Sequence, residues 1–263
     1  MINIEALSIR EIEDRLQAKQ GLMELLDAMR TDPRKAVQKL YAQALKKAQK
    51  EAKEQERILH LYQLEQAYYA QGLYEVAGVD EAGRGPVAGP VAIAAVILPP
   101  YWLCQGLNDS KKISAQKRDV LYDKILKEAI AVSCIMKERE EIDRLNIYQA
   151  TQQGMYDAIA ALSVSPQAVL IDAMPLPKLT MLHQSPVHGD ALSASIAAAS
   201  IVAKVTRDRC MQKWDVVYPQ YGFAIHKGYL TQAHRDAIMK FGPCPLHRRS
   251  FEPIKSMVKD DSL

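Results

Sequence analysis

The chain changes texture near Tyr74, and that boundary limits the possible folds more than any other feature. Residues 1 to about 70 contain only Gly21 and Pro33 as breakers, so this stretch is predicted to be helical throughout. Ser8 and Glu11 have the spacing of a capping box, and Asp32 before Pro33 reads as an N-cap with proline at the first position of a long helix. Val37, Leu40, Tyr41, Ala44, Leu45, Ala48 and Ala52 then recur at helical spacing, and Ile58, Leu59 and Tyr62 continue the stripe. From Tyr74 onward the pattern is short apolar runs rich in Val, Ile and Ala. Residues 74 to 79 and 91 to 98 read as strands, joined by a Gly- and Pro-punctuated turn that favours a hairpin. Residues 131 to 137 and 168 to 171 add two more strands. Helices are expected over 115 to 129, 147 to 162, 191 to 209 and near 231 to 241. Strands first and then alternating strands and helices predict an α/β fold, a mixed β-sheet flanked by helices, behind an all-helical N-terminal extension.

Composition narrows the class. A chain of 263 residues with 48% hydrophobic and 25% charged residues builds one substantial core plus a small appendage. No apolar run is long enough to span a bilayer and the first ten residues lack a signal-peptide pattern, so a cytoplasmic protein without a membrane partner is expected. Cys104, Cys134, Cys210 and Cys244 are spaced too widely for a zinc knuckle or a redox pair and read as bystanders. The net charge is +3, but its distribution is uneven: residues 200 to 255 carry ten Lys or Arg against four Asp or Glu. Residues 33 to 57 carry eight against three. Basic faces of this kind suit a polyanion, because each cation that neutralises a phosphate releases condensed counterions. A solvated helix face, or for the extension a packing role, accounts for the same charges.

The chemistry-bearing candidates are acidic. Asp80 and Glu81 follow the first strand, Asp172 ends the fourth, and Asp190 precedes a Ser- and Ala-rich helix. Carboxylates gathered at a sheet edge repel one another unless a cation compensates them, and Mg²⁺ or Mn²⁺ takes oxygen ligands without needing His or Cys. On a regular strand Asp80 and Glu81 point to opposite faces, so both reach one site only if the backbone leaves the pleat at the turn that follows. Taken singly, each acid also fits a blander role; Asp190, for example, suits a helix N-cap. Gly83-Arg84-Gly85-Pro86 fails the dinucleotide fingerprint, since Gly89 lies four residues after Gly85 and prolines interrupt. A glycine-flanked arginine either lets backbone amides approach a sugar-phosphate while the guanidinium meets phosphate, or is a plain turn with an exposed arginine. Ser110, Lys111 and Lys112 precede a helix, and Ser193, Ala197, Ser200, Lys204, Arg207 and Asp208 form a possible polar stripe for phosphate. Tyr229 sits beside a basic turn, a pairing suited to stacking on a sugar or base, though a tyrosine at the edge of a core fits the same pattern.

Together these segments resemble the motifs of ribonuclease HII. Gly78-Val79-Asp80-Glu81-Ala82-Gly83-Arg84-Gly85-Pro86 resembles the family's opening motif. Asn108 to Lys112, Ile171-Asp172-Ala173, Gly189-Asp190, Ala199 to Arg209, Lys227-Gly228-Tyr229 and His247 to Phe251 follow in the family's order. The resemblance covers residues 72 to 255, leaving 1 to 70 as a helical extension and 256 to 263 as a tail. It implies a ribonuclease H-like fold with Asp80, Glu81, Asp172 and Asp190 as ligands of a two-metal Mn²⁺ or Mg²⁺ site. It further implies hydrolysis of RNA in RNA–DNA hybrids and nicking of duplex DNA 5′ to an embedded ribonucleotide, giving 3′-hydroxyl and 5′-phosphate ends. Gly83, Arg84, Gly85 and Tyr229 then correspond to the family's ribose sensor. Ser110, Lys111, Ser200, Lys204 and Arg207 are expected to hold the substrate backbone. Arg84 separates the chain from the related ribonuclease HIII, which lacks that arginine. No organic cofactor and a monomeric state are expected. The alternatives are an inert nucleic-acid-binding module and a small-molecule phosphohydrolase.

Overall fold

A computed structural model describes residues 2 to 19 and 21 to 260. Contacts divide the chain into two units, Met1–Arg57 and Ile58–Leu263. The first unit contains α1 (Ile9–Ala18), α2 (Leu22–Met29) and most of α3 (Lys35–His60). Ser8 and Glu11 form the capping box that opens α1, each side chain bonding to the other residue's backbone N–H. The long helix starts later than expected. Asp32 accepts from the Arg34 N–H at 2.9 Å and pairs with its guanidinium at 2.6 Å, so Pro33 lies ahead of α3 and not at its first position. Arg34 also donates to the carbonyls of Leu7 and Ile4, closing the unit around buried Ile4, Ile12, Leu25, Met29 and Val37.

The second unit begins with α4 (Gln63–Tyr69), followed by β1 (Val76–Ala82), β2 (Val91–Ile97), α5 (Ala115–Glu128) and β3 (Ala131–Lys137). Then come α6 (Arg139–Leu145), α7 (Ile147–Ala160), β4 (Ala168–Ile171), β5 (Leu182–Gln184) and α8 (Ala194–Val217). Short α9 (Phe223–His226), α10 (Gln232–Phe241) and α11 (Ile254–Asp260) complete it. The sheet order is β3-β2-β1-β4-β5. β1 pairs antiparallel with β2 and parallel with β4, so the hairpin and the mixed sheet both form as expected. β2 is buried along its whole length, which suits its unbroken Val, Ile and Ala run. One sheet face packs on α4, α5 and α8, and the other on α6 and α7. Ile58, Leu61, Tyr62, Tyr68 and Tyr69 join the first of these cores.

Two close approaches place the working elements. A Cβ on Gly78 would lie 2.0 Å from the Ser195 backbone carbon, so β1 crosses the first turn of α8 at a distance only glycine allows. Beyond β1, Gly83 has φ +100°, and a Cβ there would lie 1.9 Å from Arg207 Nε. The chain therefore leaves the sheet at Gly83 and at no earlier point.

Candidate active site

β1 runs in register with β2 as far as Ala82, with Asp80 opposite Ala94 and Glu81 opposite Ile93. The departure from the pleat comes at the turn after Ala82, as expected, and Asp80 and Glu81 themselves stay on the paired strand. Pairing with β4 ends at Val79 and Ile171, which leaves that edge of β1 open at the level of Asp80 and Glu81. Their carboxylates interact around this free end. Burial pushes Asp80 well above the usual carboxylate range, and the charges of Glu81 and Asp172 push it further. Burial also raises Glu81, against the pull of Arg84. Asp190 is raised by burial, then by Asp109 and Asp172. Lys111 answers this acidic field: burial alone would lower it, but Asp80, Asp190, Asp109 and Asp172 outweigh burial and hold it above its ordinary value.

Each acid has a defined support. Asp80 Oδ1 accepts from the Glu81 N–H at 2.7 Å, and Asp80 also bonds to Ser200. Ser200 Oγ lies 2.9 Å from Ser110 Oγ, with both serines buried. Asp172 Oδ1 accepts from the Gly189 N–H at 2.8 Å, linking the end of β4 to the turn that carries Asp190. Asp190 does not cap α8; Ser193 does, accepting from the Ile196 N–H at 3.1 Å. That removes the N-cap reading of Asp190. Among the described residues no three Asp, Glu, His or Cys side chains, as they are placed, stand together closely enough to hold a metal ion. Even so, Glu81 Oε2 is buried without a hydrogen-bond partner and its neighbours repel one another. A hard divalent cation answers both costs at once, so the donor set fits one.

The glycine-flanked loop is held from beneath by two buried arginines. Arg248 donates to Gly83 O at 2.7 Å, Arg84 O at 2.9 Å and Gly89 O at 3.0 Å. Arg207 donates to Pro90 O at 2.8 Å and Ala88 O at 3.2 Å. Burial lowers both guanidinium groups, Arg248 to about 9, and these carbonyls are what they have in place of water. Arg207 was expected to meet a phosphate, but it is 1% exposed and shapes the loop instead. Ser110 and Ser200 are likewise buried and support Asp80. The stripe along α8 thus packs inward, with Lys204 and Asp208 at its margin, paired at 2.8 Å.

Arg84 remains outward, 3.4 Å from Glu81 and 42% exposed in its side chain. Gly85 lies against the Tyr229 ring, since a Cβ there would sit 3.5 Å from Tyr229 Cε1. Tyr229 is about half exposed. Behind it, His234 Nδ1 donates to the Tyr229 carbonyl at 3.0 Å, His247 Nε2 donates to His234 Nε2 at 3.1 Å, and the Cys244 N–H donates to His247 Nδ1 at 2.9 Å. This tautomer assignment satisfies every ring nitrogen in neutral form. Burial, the leading cause in both cases, lowers His234 and His247 to about 4. Residue patterns alone gave no role to Arg248, Asp109 or this histidine relay. Arg248, Asp109 and His247 lie within quoted motifs, but His234 lies outside them and leaves no sequence signal.

Known proteins show the same arrangement of segments. The family model described as Ribonuclease HII matches residues 77–254, and Ribonuclease HII N-terminal domain matches residues 8–69. The chain is 48% identical to a ribonuclease HII of Bacillus cytotoxicus over 229 residues, covering 87% of this chain and 88% of that one. It is 47% identical to one of Geobacillus thermodenitrificans over 249 residues, covering 94% and 96%. Among solved structures, ribonuclease H2 of Pyrococcus horikoshii is 26% identical with a TM-score of 0.61, covering 70% of this chain and 97% of that one.

Proposed function

Because the chain belongs to the ribonuclease HII family, we propose that it is an endonuclease that hydrolyses the RNA strand of RNA–DNA hybrids. On this reading it also nicks duplex DNA on the 5′ side of an embedded ribonucleotide, leaving a 3′-hydroxyl and a 5′-phosphate. The observation that carries the reading is the acidic cluster at the open end of β1. Asp80 is buried and Glu81 half-buried there beside Asp172 and Asp190, with one Glu81 carboxylate oxygen buried and unpartnered among the described residues. Asp80, Glu81, Asp172 and Asp190 would hold Mg²⁺ or Mn²⁺. A bound divalent cation supplies charge stabilisation for the phosphoryl transition state and acidifies the attacking water.

The chain's own groups do the rest. Ser200 and Ser110 fix the Asp80 carboxylate, and Gly189 fixes that of Asp172, so the acids do not reorganise as charge develops. Lys111, already drawn toward the carboxylates, offers its ammonium group to the phosphate next to the scissile bond. The backbone at 83 to 85, immobilised by Arg207 and Arg248, meets the sugar edge without side-chain obstruction. Arg84 offers a guanidinium to phosphate, and Tyr229 offers its ring and hydroxyl to the ribose. The 2′-hydroxyl is donor and acceptor at once and is what tells RNA from DNA at one nucleotide. The pure protein is expected to nick a DNA duplex holding one ribonucleotide when Mg²⁺ or Mn²⁺ is added, and gel electrophoresis of an end-labelled strand reads this out. An intact duplex together with hydrolysis of a simple phosphomonoester would reverse the assignment.

A further inference from the structure

Glu65 lies on α4, at the end of the helical segment and outside every motif named above. It is fully buried, and Oε1 accepts from Ser193 Oγ at 2.6 Å and from the Ser195 N–H at 2.9 Å. Ser193 is the N-cap of α8, and its own N–H donates to Gly189 O at 2.8 Å, closing the turn that carries Asp190. The Gly189 N–H in turn holds Asp172 Oδ1. On its other side, Ser195 is the residue against which Gly78 of β1 packs. One carboxylate oxygen therefore anchors the point where three acid-bearing elements meet: β1 with Asp80, the end of β4 with Asp172, and the turn with Asp190.

A buried carboxylate is an expensive way to gain stability. Burial raises the Glu65 carboxyl, the groups that oppose this are hydrogen-bond donors led by Ser193, and among the described residues Oε2 has no hydrogen-bond partner. An apolar side chain of similar volume would pack this place at lower cost. What it would not do is accept from a serine hydroxyl and a helix N–H together. We infer that Glu65 is a positioning residue of the active site, setting the Asp190 turn relative to β1 through Ser193 and Ser195. The inference rests on the proposed role of the four carboxylates.

The test uses the full chain with Glu65→Gln, Glu65→Leu, Ser193→Ala and Asp190→Asn. It reads nicking kinetics on the one-ribonucleotide duplex, Mn²⁺ binding by calorimetry without nucleic acid, and melting by circular dichroism. Glu65→Leu is expected to lose about tenfold in kcat with KM within about twofold, and to bind Mn²⁺ about fivefold more weakly while folded. Glu65→Gln, which keeps an oxygen acceptor for both bonds, restores most of both losses. If Glu65→Leu does not fold, Ser193→Ala carries the test, since it leaves Glu65 in place and cuts its link to the turn; the same two losses are expected. Parent-like kcat and Mn²⁺ affinity in the folded variant would overturn the positioning role. Asp190→Asn separates the two ideas: if it keeps nicking and Mn²⁺ binding, the carboxylate reading fails and the Glu65 role falls with it. If it loses both while Glu65→Leu loses neither, only the Glu65 role is removed.

Discussion

At Asp80 the proposed catalytic role and stability pull in opposite directions. Its carboxyl is raised by burial and by Glu81 and Asp172, so the folded state resists an ionisation that the unfolded chain accepts freely. With a folded value above the unfolded one, stability is fully present below the unfolded value and is lost as pH rises through the folded one. Asp80→Asn is therefore expected to abolish nicking yet raise the melting temperature by about 2–4 °C at pH 8 without divalent cation, the gain shrinking toward pH 4. Scanning fluorimetry across that range checks it, and a lower melting temperature at pH 8 would contradict the repulsion argument. Tyr229 makes a different kind of contribution, because its ring contacts Gly85 from a half-exposed position. Tyr229→Ala is expected to cost about tenfold in cleavage at a lone ribonucleotide, in line with one lost stacking contact, and less on a long hybrid. Equal losses on both substrates would make the residue structural. These side chains were readable as candidates because acids, a glycine-flanked arginine and an aromatic beside a basic turn are conspicuous. The internal bonds of Arg207, Ser110 and Ser200 could not be read for one reason: a polar residue on a helix looks the same in sequence whether it faces solvent or bonds a buried carbonyl or hydroxyl.

At the scale of elements, the crossing of β1 over α8 matters most. A methyl group at Gly78 would overlap Ser195 backbone, which cannot swing aside as a side-chain tip would. Gly78→Ala is expected to destabilise the fold by at least about 2 kcal/mol and to depress nicking by shifting Asp80 relative to Asp190. Urea unfolding measures the first effect, and an unchanged midpoint would mean the crossing relaxes without strain. The strands and long helices could be read from the chain because burial follows period: residues 131 to 137 and 168 to 171 coincide with β3 and β4. β5 escaped notice since its three residues are exposed and show no alternation. α8 runs on to Val217 because nothing breaks it before Pro219. The route by which Glu81 joins Asp80 could not be read either, as it depends on β4 ending one strand away.

For the whole molecule, the helical segment contributes to both units. Ile58, Tyr62, Tyr68 and Tyr69 are core residues of the second unit, while Lys39, Lys46, Lys50 and Lys53 are exposed along α3 in the first. Removing residues 1 to 57 is expected to leave a folded nuclease with weaker duplex binding and a shallower dependence of log affinity on log salt. Removing 1 to 70 is expected to give an insoluble or unfolded chain. Fluorescence anisotropy at several salt concentrations and circular dichroism distinguish the two, and a soluble, active product from the longer truncation would show that α4 is dispensable. No helix among the described residues is long and apolar enough to cross a membrane. α8 reaches across the second unit as a single continuous rod, with Ser193, Ser200 and Arg207 seven residues apart along it. Seven residues bring a helix back to within about 20° of the same side, whereas one inserted residue turns everything beyond it by about 100°. The helix therefore works as a measuring stick whose residues can be exchanged but whose length cannot, so insertions and deletions should collect in the loops around α8 and not within it.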